Sequence, residues 1–208
     1  MKLSDDEVAK ATDALRRGDA RAAAHICLSA SNVFFNSLVA DVEYVLTRTP
    51  QALSDCPNEI LQPLRIAAGL MILGGYAHPI RRFIAADAEY NYRYTPETVA
   101  HLLTNHASFL RNRTSIADVG LKAVKILGSG LPDECSACRQ ISQRRFAVAD
   151  APELPLADCT CPGGCKCVLV AVDEQSDRKR RPTNQDRPPS CQRAPTAENL
   201  GQRWTESH

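Results

Sequence analysis

Six of the nine cysteines in this chain of 208 residues are concentrated in one stretch. They occur as Cys135-x2-Cys138, followed after a spacer by Cys159-x-Cys161-x3-Cys165-x-Cys167. A tight turn between two cysteines that are two residues apart directs both sulfurs towards one ion. The spacing therefore predicts a metal site made of thiolates.

Zinc in structural sites is usually held by four thiolate or imidazole ligands in tetrahedral geometry. The predicted ligands are Cys135, Cys138, Cys161 and Cys165, with Cys159 and Cys167 as exchange candidates. The Pro162-Gly163-Gly164 turn favours the pairing of Cys161 with Cys165. Four thiolates leave no coordination position for water, so the site is predicted to be structural and no catalytic residue is assigned. Six thiolates also suit a two-metal cluster or an iron–sulfur centre, and the spacing excludes neither.

The rest of the composition predicts a cytoplasmic protein. Acidic residues directly follow Ser4, and the N-terminus lacks an apolar run of signal-peptide length. The most apolar run, residues 64–76, is well short of the roughly 20 residues of a membrane span. Clustered cysteines in a reducing compartment favour a metal over disulfides. Lys and Arg number 25 against 24 Asp and Glu, so net charge does not favour nucleic acid or a membrane as a partner.

Residues 1–130 have the apolar periodicity and short connections of a helical bundle. Ser4 and Glu7 form a capping box, which predicts a first helix that ends near Arg17. Further helices are expected from about Ala20 to Thr47 or Arg48, from Glu59 to about Leu73, around Pro79–Ala86, from Thr95 to about Leu110, and from Ile116 to Leu127. Gly128-Ser129-Gly130 is expected to end the helical domain.

The pattern changes after residue 130. Phe146–Val148 and Val168–Val172 are short runs with high β propensity, and prolines lie between them. Residues 131–172 are therefore predicted to form a small α+β zinc-binding subdomain, with the cysteines in its turns. Residues 173–208 are almost wholly polar and are predicted to be a disordered tail. The expected fold class is mainly α.

The cysteine stretch and its surroundings resemble the C-terminal part of phage head-morphogenesis proteins, the MuF-like minor capsid family. The resemblance covers about residues 115–172 and rests on Val124–Leu127, Asp133–Arg139, Arg145-Phe146, Ala151–Pro155 and Cys159–Cys167. Cys161 stands where the family usually has His, and Lys166 replaces the usual Arg. The resemblance implies an assembly protein that acts through protein–protein contacts, with capsid or portal components as partners. A phage-encoded chain would then be associated with the virion.

Two other functions are compatible with the sequence. Arg178–Arg181 is a basic run, and Tyr90–Tyr94 alternates aromatic and polar residues, which together suit a regulatory module that binds nucleic acid. The tyrosines are better suited to packing of the chain onto the helical core. The exchange candidates Cys159 and Cys167 suit a redox-responsive pair that is released with the zinc.

Overall fold

The architecture is mainly α, with one small antiparallel sheet, in a computed structural model that describes residues 3–28, 32–74, 80–84 and 90–172. The helices are α1 (Asp5–Arg16), α2 (Ala20–Cys27), α3 (Phe35–Thr47), α4 (Asn58–Gly74), α5 (Pro96–Asp118) and α6 (Ser136–Ile141). The strands are β1 (Ala123–Leu127), β2 (Arg145–Ala147) and β3 (Val168–Ala171). The predicted fold class is confirmed.

The capping box predicted at the start of α1 is present. The Ser4 hydroxyl accepts a hydrogen bond from the Glu7 amide, and the Glu7 carboxylate accepts one from the Ser4 amide at 2.8 Å. This backbone donor lowers the pKa of Glu7. The sequence signal therefore located the first helix correctly.

The predicted long second helix is two helices. α2 ends where Leu28 adopts an extended conformation, and α3 begins at Phe35. Before α3, the Asn32 side chain accepts a hydrogen bond from the Phe34 amide at 2.9 Å. An Asn side chain that bonds the backbone two residues on competes with helical hydrogen bonds, which explains the interruption.

The helix predicted from Ile116 to Leu127 is also wrong. α5 continues through residues 112–115 to Asp118, and the chain then turns at Gly120, where φ is +75°. Residues 123–127 form β1 instead, with Val124 and Ile126 fully buried on one face. This alternation has the two-residue period of a half-buried strand.

β1 is the central strand of the sheet, whose order is β2-β1-β3. It pairs antiparallel with both neighbours, and Leu127 lies opposite Val168 in the β1–β3 register. The first pair of cysteines lies between β1 and β2, and the other four lie just before β3. The register therefore brings the start of the first cysteine segment to the same end of the sheet as Cys167.

α4 and α5 connect the sheet to the helices. α4 matches the third predicted helix and packs against α1, α3 and α5. Leu64 from α4, Leu102 and Leu103 from α5, and Ile126 from β1 share one buried cluster with four of the six cysteines in the cysteine-rich stretch. The helical part and the cysteine-rich part thus have a common core, while the boundary at residue 130 stays a prediction.

Several predictions fall wholly or partly outside the described residues. The tail 173–208 and its basic run Arg178–Arg181 are among them. Of the short helix expected around Pro79–Ala86, the described part is a 3₁₀ turn over Ile80–Phe83. Within the described part of the chain, no helix has both the length and the apolar character that a bilayer crossing requires.

Candidate metal centre

Local structure positions the first two cysteines. Cys135 is the N-cap residue of α6, and Cys138 lies in the first turn of that helix. The Arg139 amide donates to the Cys135 carbonyl at 3.0 Å, which closes this turn. Both side chains therefore point to the side from which the second cysteine segment approaches.

Four sulfurs form a compact group. The Sγ atoms of Cys135, Cys138, Cys159 and Cys161 all lie within 4.8 Å of one another. Cys138 Sγ is 3.6 Å from Cys159 Sγ and 3.8 Å from Cys161 Sγ, and Cys135 Sγ is 3.9 Å from Cys159 Sγ. Zinc–sulfur bonds of about 2.3 Å in a regular tetrahedron place sulfurs about 3.8 Å apart. The group thus has the dimensions of a single tetrahedral metal site.

A second group shares one of these sulfurs. The Sγ atoms of Cys138, Cys165 and Cys167 also lie within 4.8 Å of one another, and the first two are 3.9 Å apart. All six cysteines that the spacing singled out are therefore brought together. The four-sulfur group contains Cys159 in place of Cys165, which the sequence predicted as a ligand. The choice of ligands stays a prediction.

The Cys161–Cys165 turn is seated on α5. Gly164 has φ +90°, and a Cβ atom at this position would lie 3.0 Å from Leu102 Cδ2 and 3.2 Å from Thr98 Cγ2. The Asn105 side chain donates a hydrogen bond to the Cys165 carbonyl at 2.9 Å. Glycine at this position allows the turn to approach the helix closely, so α5 fixes the position of the second cysteine segment.

The first cysteine segment is fixed by a buried carboxylate. Glu134 is 7% exposed, and its Oε1 accepts a hydrogen bond from the Ser129 amide at 2.8 Å. A Cβ atom on Gly128 would lie 2.0 Å from the same oxygen. A side chain at residue 128, where the chain leaves β1 and turns towards Cys135, would therefore have to displace this carboxylate.

Hydrogen bonds favour the thiolate form of some of the sulfurs. The Cys135 amide donates to Cys161 Sγ at 3.2 Å, and the Cys161 amide donates to Cys159 Sγ at 3.4 Å. Burial opposes ionisation of Cys135, but hydrogen bonds with the backbone at Cys138 and Thr160 lower its pKa to about 6. These backbone N–H donors stabilise the negative charge of thiolate ligands in a partly buried site.

Neighbouring groups shift the pKa values of the buried thiols in opposite directions. A hydrogen bond from Cys167 lowers the pKa of Cys165 to about 5, and the same bond raises the pKa of Cys167. Burial, together with the charge of Cys165, raises the pKa of Cys138, and burial raises that of Cys159 to about 12. A metal ion that binds these sulfurs must displace protons from at least some of them.

The thiols outside the cluster are of a different kind. Cys27 and Cys56 are buried, and burial raises the pKa of each to about 11. They behave as small apolar side chains, whereas Cys191 lies outside the described residues. All eight cysteines of the described part of the chain carry free thiols.

The tyrosine segment makes internal contacts. The Tyr90 hydroxyl donates to the Tyr94 carbonyl at 2.7 Å, and the Tyr92 hydroxyl donates to Asp55 at 2.8 Å. The Arg93 guanidinium lies 4.8 Å from the Tyr94 ring centroid and donates to the Ala52 carbonyl. These contacts favour the packing interpretation over a platform for stacked bases.

The positions that support the cluster carried little sequence signal. Asn105 and Leu102 look like ordinary residues of a helix, and Glu134 looks like a surface acid beside Cys135. The glycines were the available signal, since Gly164 follows Gly163 inside a cysteine turn and both have positive φ.

Comparisons with protein-family models, curated proteins and solved structures give no match.

Proposed function

We propose that this chain is a zinc-binding structural protein that acts through protein–protein contacts. The observation that carries the proposal is the four-sulfur group of Cys135, Cys138, Cys159 and Cys161, in which three sulfur–sulfur distances are 3.6–3.9 Å. These distances leave room for one ion among the sulfurs. An iron–sulfur cluster would need a wider ring of cysteines, because iron and sulfide ions fill its centre.

Zinc suits this donor set because soft thiolates in a tetrahedral arrangement favour it. Four sulfur ligands fill the coordination sphere of the ion, so its role is to hold the chain together. When bound, zinc neutralises thiolate charge and links two distant segments. Cys135 and Cys138 lie on α6, and Cys159 and Cys161 lie on the segment that is seated on α5.

The site joins α6 to the segment that α5 holds in place. α6 has six residues and one buried side chain, that of Cys138, so apolar burial contributes little to its position. In small cysteine-rich regions of this kind, metal binding supplies much of the folding free energy. We therefore expect residues 131–167 to be ordered with zinc bound and to lose order without it.

The assembly role rests on the resemblance to phage head-morphogenesis proteins. Two neighbouring large apolar side chains just before α3, those of Val33 and Phe34, are 88% and 65% exposed. Exposed apolar side chains of this size are suited to burial against a partner protein. Capsid or portal components are the partners that the resemblance implies.

Cobalt substitution tests the metal site. Co²⁺ held by tetrahedral thiolates has intense visible bands and a sulfur-to-metal charge-transfer band in the near ultraviolet. We expect both in the wild-type chain, and a loss of charge-transfer intensity in Cys135→Ser. Cys56→Ser is the matched control, because its thiol lies outside the cluster. A pale spectrum typical of octahedral oxygen ligation would contradict the proposal.

Co-expression with phage portal and capsid proteins tests the assembly role separately. We expect the tagged chain to co-purify with one of them and to be visible on particles by electron microscopy. A double variant, Val33→Ser with Phe34→Ser, should weaken this association and leave the cobalt spectrum unchanged. If the chain binds metal but associates with neither component, the assembly role is refuted and the proposed zinc site is unaffected.

A further inference from the structure

We propose that the cysteines hold two metal ions and that the Cys138 thiolate bridges them. This inference extends the zinc site proposed above and rests on it. The second ion would be bound by Cys138, Cys165 and Cys167, whose sulfurs form a three-membered group of their own. This ion would be a thiophilic d¹⁰ cation, and zinc is the first choice.

The position of Cys138 carries the inference. Its sulfur lies 3.6 Å from Cys159 Sγ and 3.8 Å from Cys161 Sγ on the side of the first group. It also lies 3.9 Å from Cys165 Sγ on the side of the second group. Each distance is close to the edge of about 3.8 Å expected for a zinc–sulfur tetrahedron. The Cys138 sulfur thus belongs to two groups whose sulfur–sulfur distances fit a metal site, as a bridging ligand does.

The burial of the second group points the same way. Cys138, Cys165 and Cys167 are 1%, 2% and 5% exposed, and their thiols are not paired in disulfides. A single zinc ion on the first group would leave Cys165 and Cys167 beside it with no ligand role. Structural cysteines that serve only as apolar filling, such as Cys27 and Cys56, do not converge on further sulfurs in this way.

Charge is compatible with two ions. Four thiolates on one zinc carry a formal charge of −2, and two more thiolates with a second Zn²⁺ add no net charge. Because uncompensated buried charge is costly, Cys165 and Cys167 can both become thiolate ligands only if a second cation accompanies them. The fourth ligand of this ion would be a solvent molecule, because Cys159 is not part of the second sulfur group.

Cadmium NMR on the full chain tests the proposal. We expect about two ¹¹³Cd ions per chain, with two resonances that split each other by scalar coupling through the Cys138 sulfur. The double variant Cys165→Ser with Cys167→Ser should bind half as much cadmium and show one unsplit resonance. Cys56→Ser, the control, should retain both. The chemical shift of the second resonance separates an all-sulfur site from one with an oxygen ligand.

The outcomes are distinguishable. One cadmium ion per wild-type chain would overturn the second site and leave the single zinc site intact. Two resonances without mutual splitting would overturn the bridge. A chain that binds no cadmium would refute the zinc site itself. Zinc content measured by elemental analysis of wild-type protein gives an independent count if the double variant does not fold.

Discussion

Replacing Gly164 by alanine tests whether the cysteine turn is seated on α5. The residue has φ +90°, and an added Cβ would lie 3.0 Å from Leu102 Cδ2. A left-handed conformation costs a non-glycine residue about 1–2 kcal/mol. Overpacking against a buried side chain adds about 1–3 kcal/mol, because Leu102 is 1% exposed and has little room to move. We expect Gly164→Ala to lower the free energy of unfolding by about 2–5 kcal/mol.

The neighbouring glycine supplies the matched control. Gly163 also has positive φ, +72°, but a Cβ at this position would meet no atom within 4 Å. Gly163→Ala should therefore cost only the backbone contribution, about 1–2 kcal/mol. Urea unfolding of the zinc-loaded protein, followed by far-ultraviolet circular dichroism, measures both variants. Equal losses of stability in the two variants would refute the seating of the turn on α5.

Three further perturbations follow from the described contacts. Gly128→Ala should displace the buried carboxylate that orders the start of the cysteine segment, and zinc affinity measured by chelator competition should fall. Arg111→Met should cost about 1–3 kcal/mol at pH 7, because the buried Asp41 carboxylate would lose the hydrogen bond that Arg111 donates to it at 2.8 Å. Burial already raises the pKa of Asp41, so this loss should shrink as the pH falls and the carboxyl is protonated. Burial raises the pKa of Tyr90 to about 12, so its contribution to stability should be complete below about pH 10 and be lost as the pH rises towards 12.

Each of these has its own control. Gly130→Ala changes a glycine with φ +65° and open space around it, so it should affect zinc affinity less than Gly128→Ala does. Adding Asp41→Asn to Arg111→Met should abolish the pH dependence of the loss, and a persistent dependence would contradict the assignment. Tyr90→Phe should be less sensitive to pH between 10 and 12 than wild type. An unchanged alkaline profile in that variant would exclude Tyr90 as its source.

Local signals predicted the parts of the fold that local interactions determine. The Ser4–Glu7 capping box located α1, and the apolar run from Glu59 located α4. The runs at 146 and 168 located two strands. These features depend on hydrogen bonds and side-chain patterns within a few residues, which a sequence shows directly.

The errors came where tertiary contacts decide the structure. Residues 112–115 were expected to interrupt a helix, but they continue α5, from which Arg113 donates a hydrogen bond to the Ala149 carbonyl. β1 was expected to be helical. Val124 and Ile126 are buried and the residues on either side of each are less so, which is the two-residue period of a strand. Five residues are too few to distinguish this period from the 3.6-residue period of a helix. Its strand identity depends on pairing with β2 and β3, which lie later in the chain.

The cysteine spacing predicts a cluster, and the choice of ligands within it stays a prediction. The turn through Gly163 and Gly164 favours Cys165 over Cys159 as a partner of Cys161. In the structure, that turn faces α5, and Cys159 lies 3.6 Å from Cys138. The arrangement depends on where α5 holds the turn, through contacts with Leu102 and Asn105 that no cysteine motif contains.

The most direct test of the proposed zinc site is the metal content of the chain itself. The protein is purified under reducing conditions without chelator or added metal, and zinc per chain is measured by elemental analysis. We predict at least one zinc ion per chain, and removal of the metal should make residues 131–167 sensitive to protease. Reduced, folded protein that carries no zinc, and takes up none when zinc is supplied, would contradict the proposed zinc site.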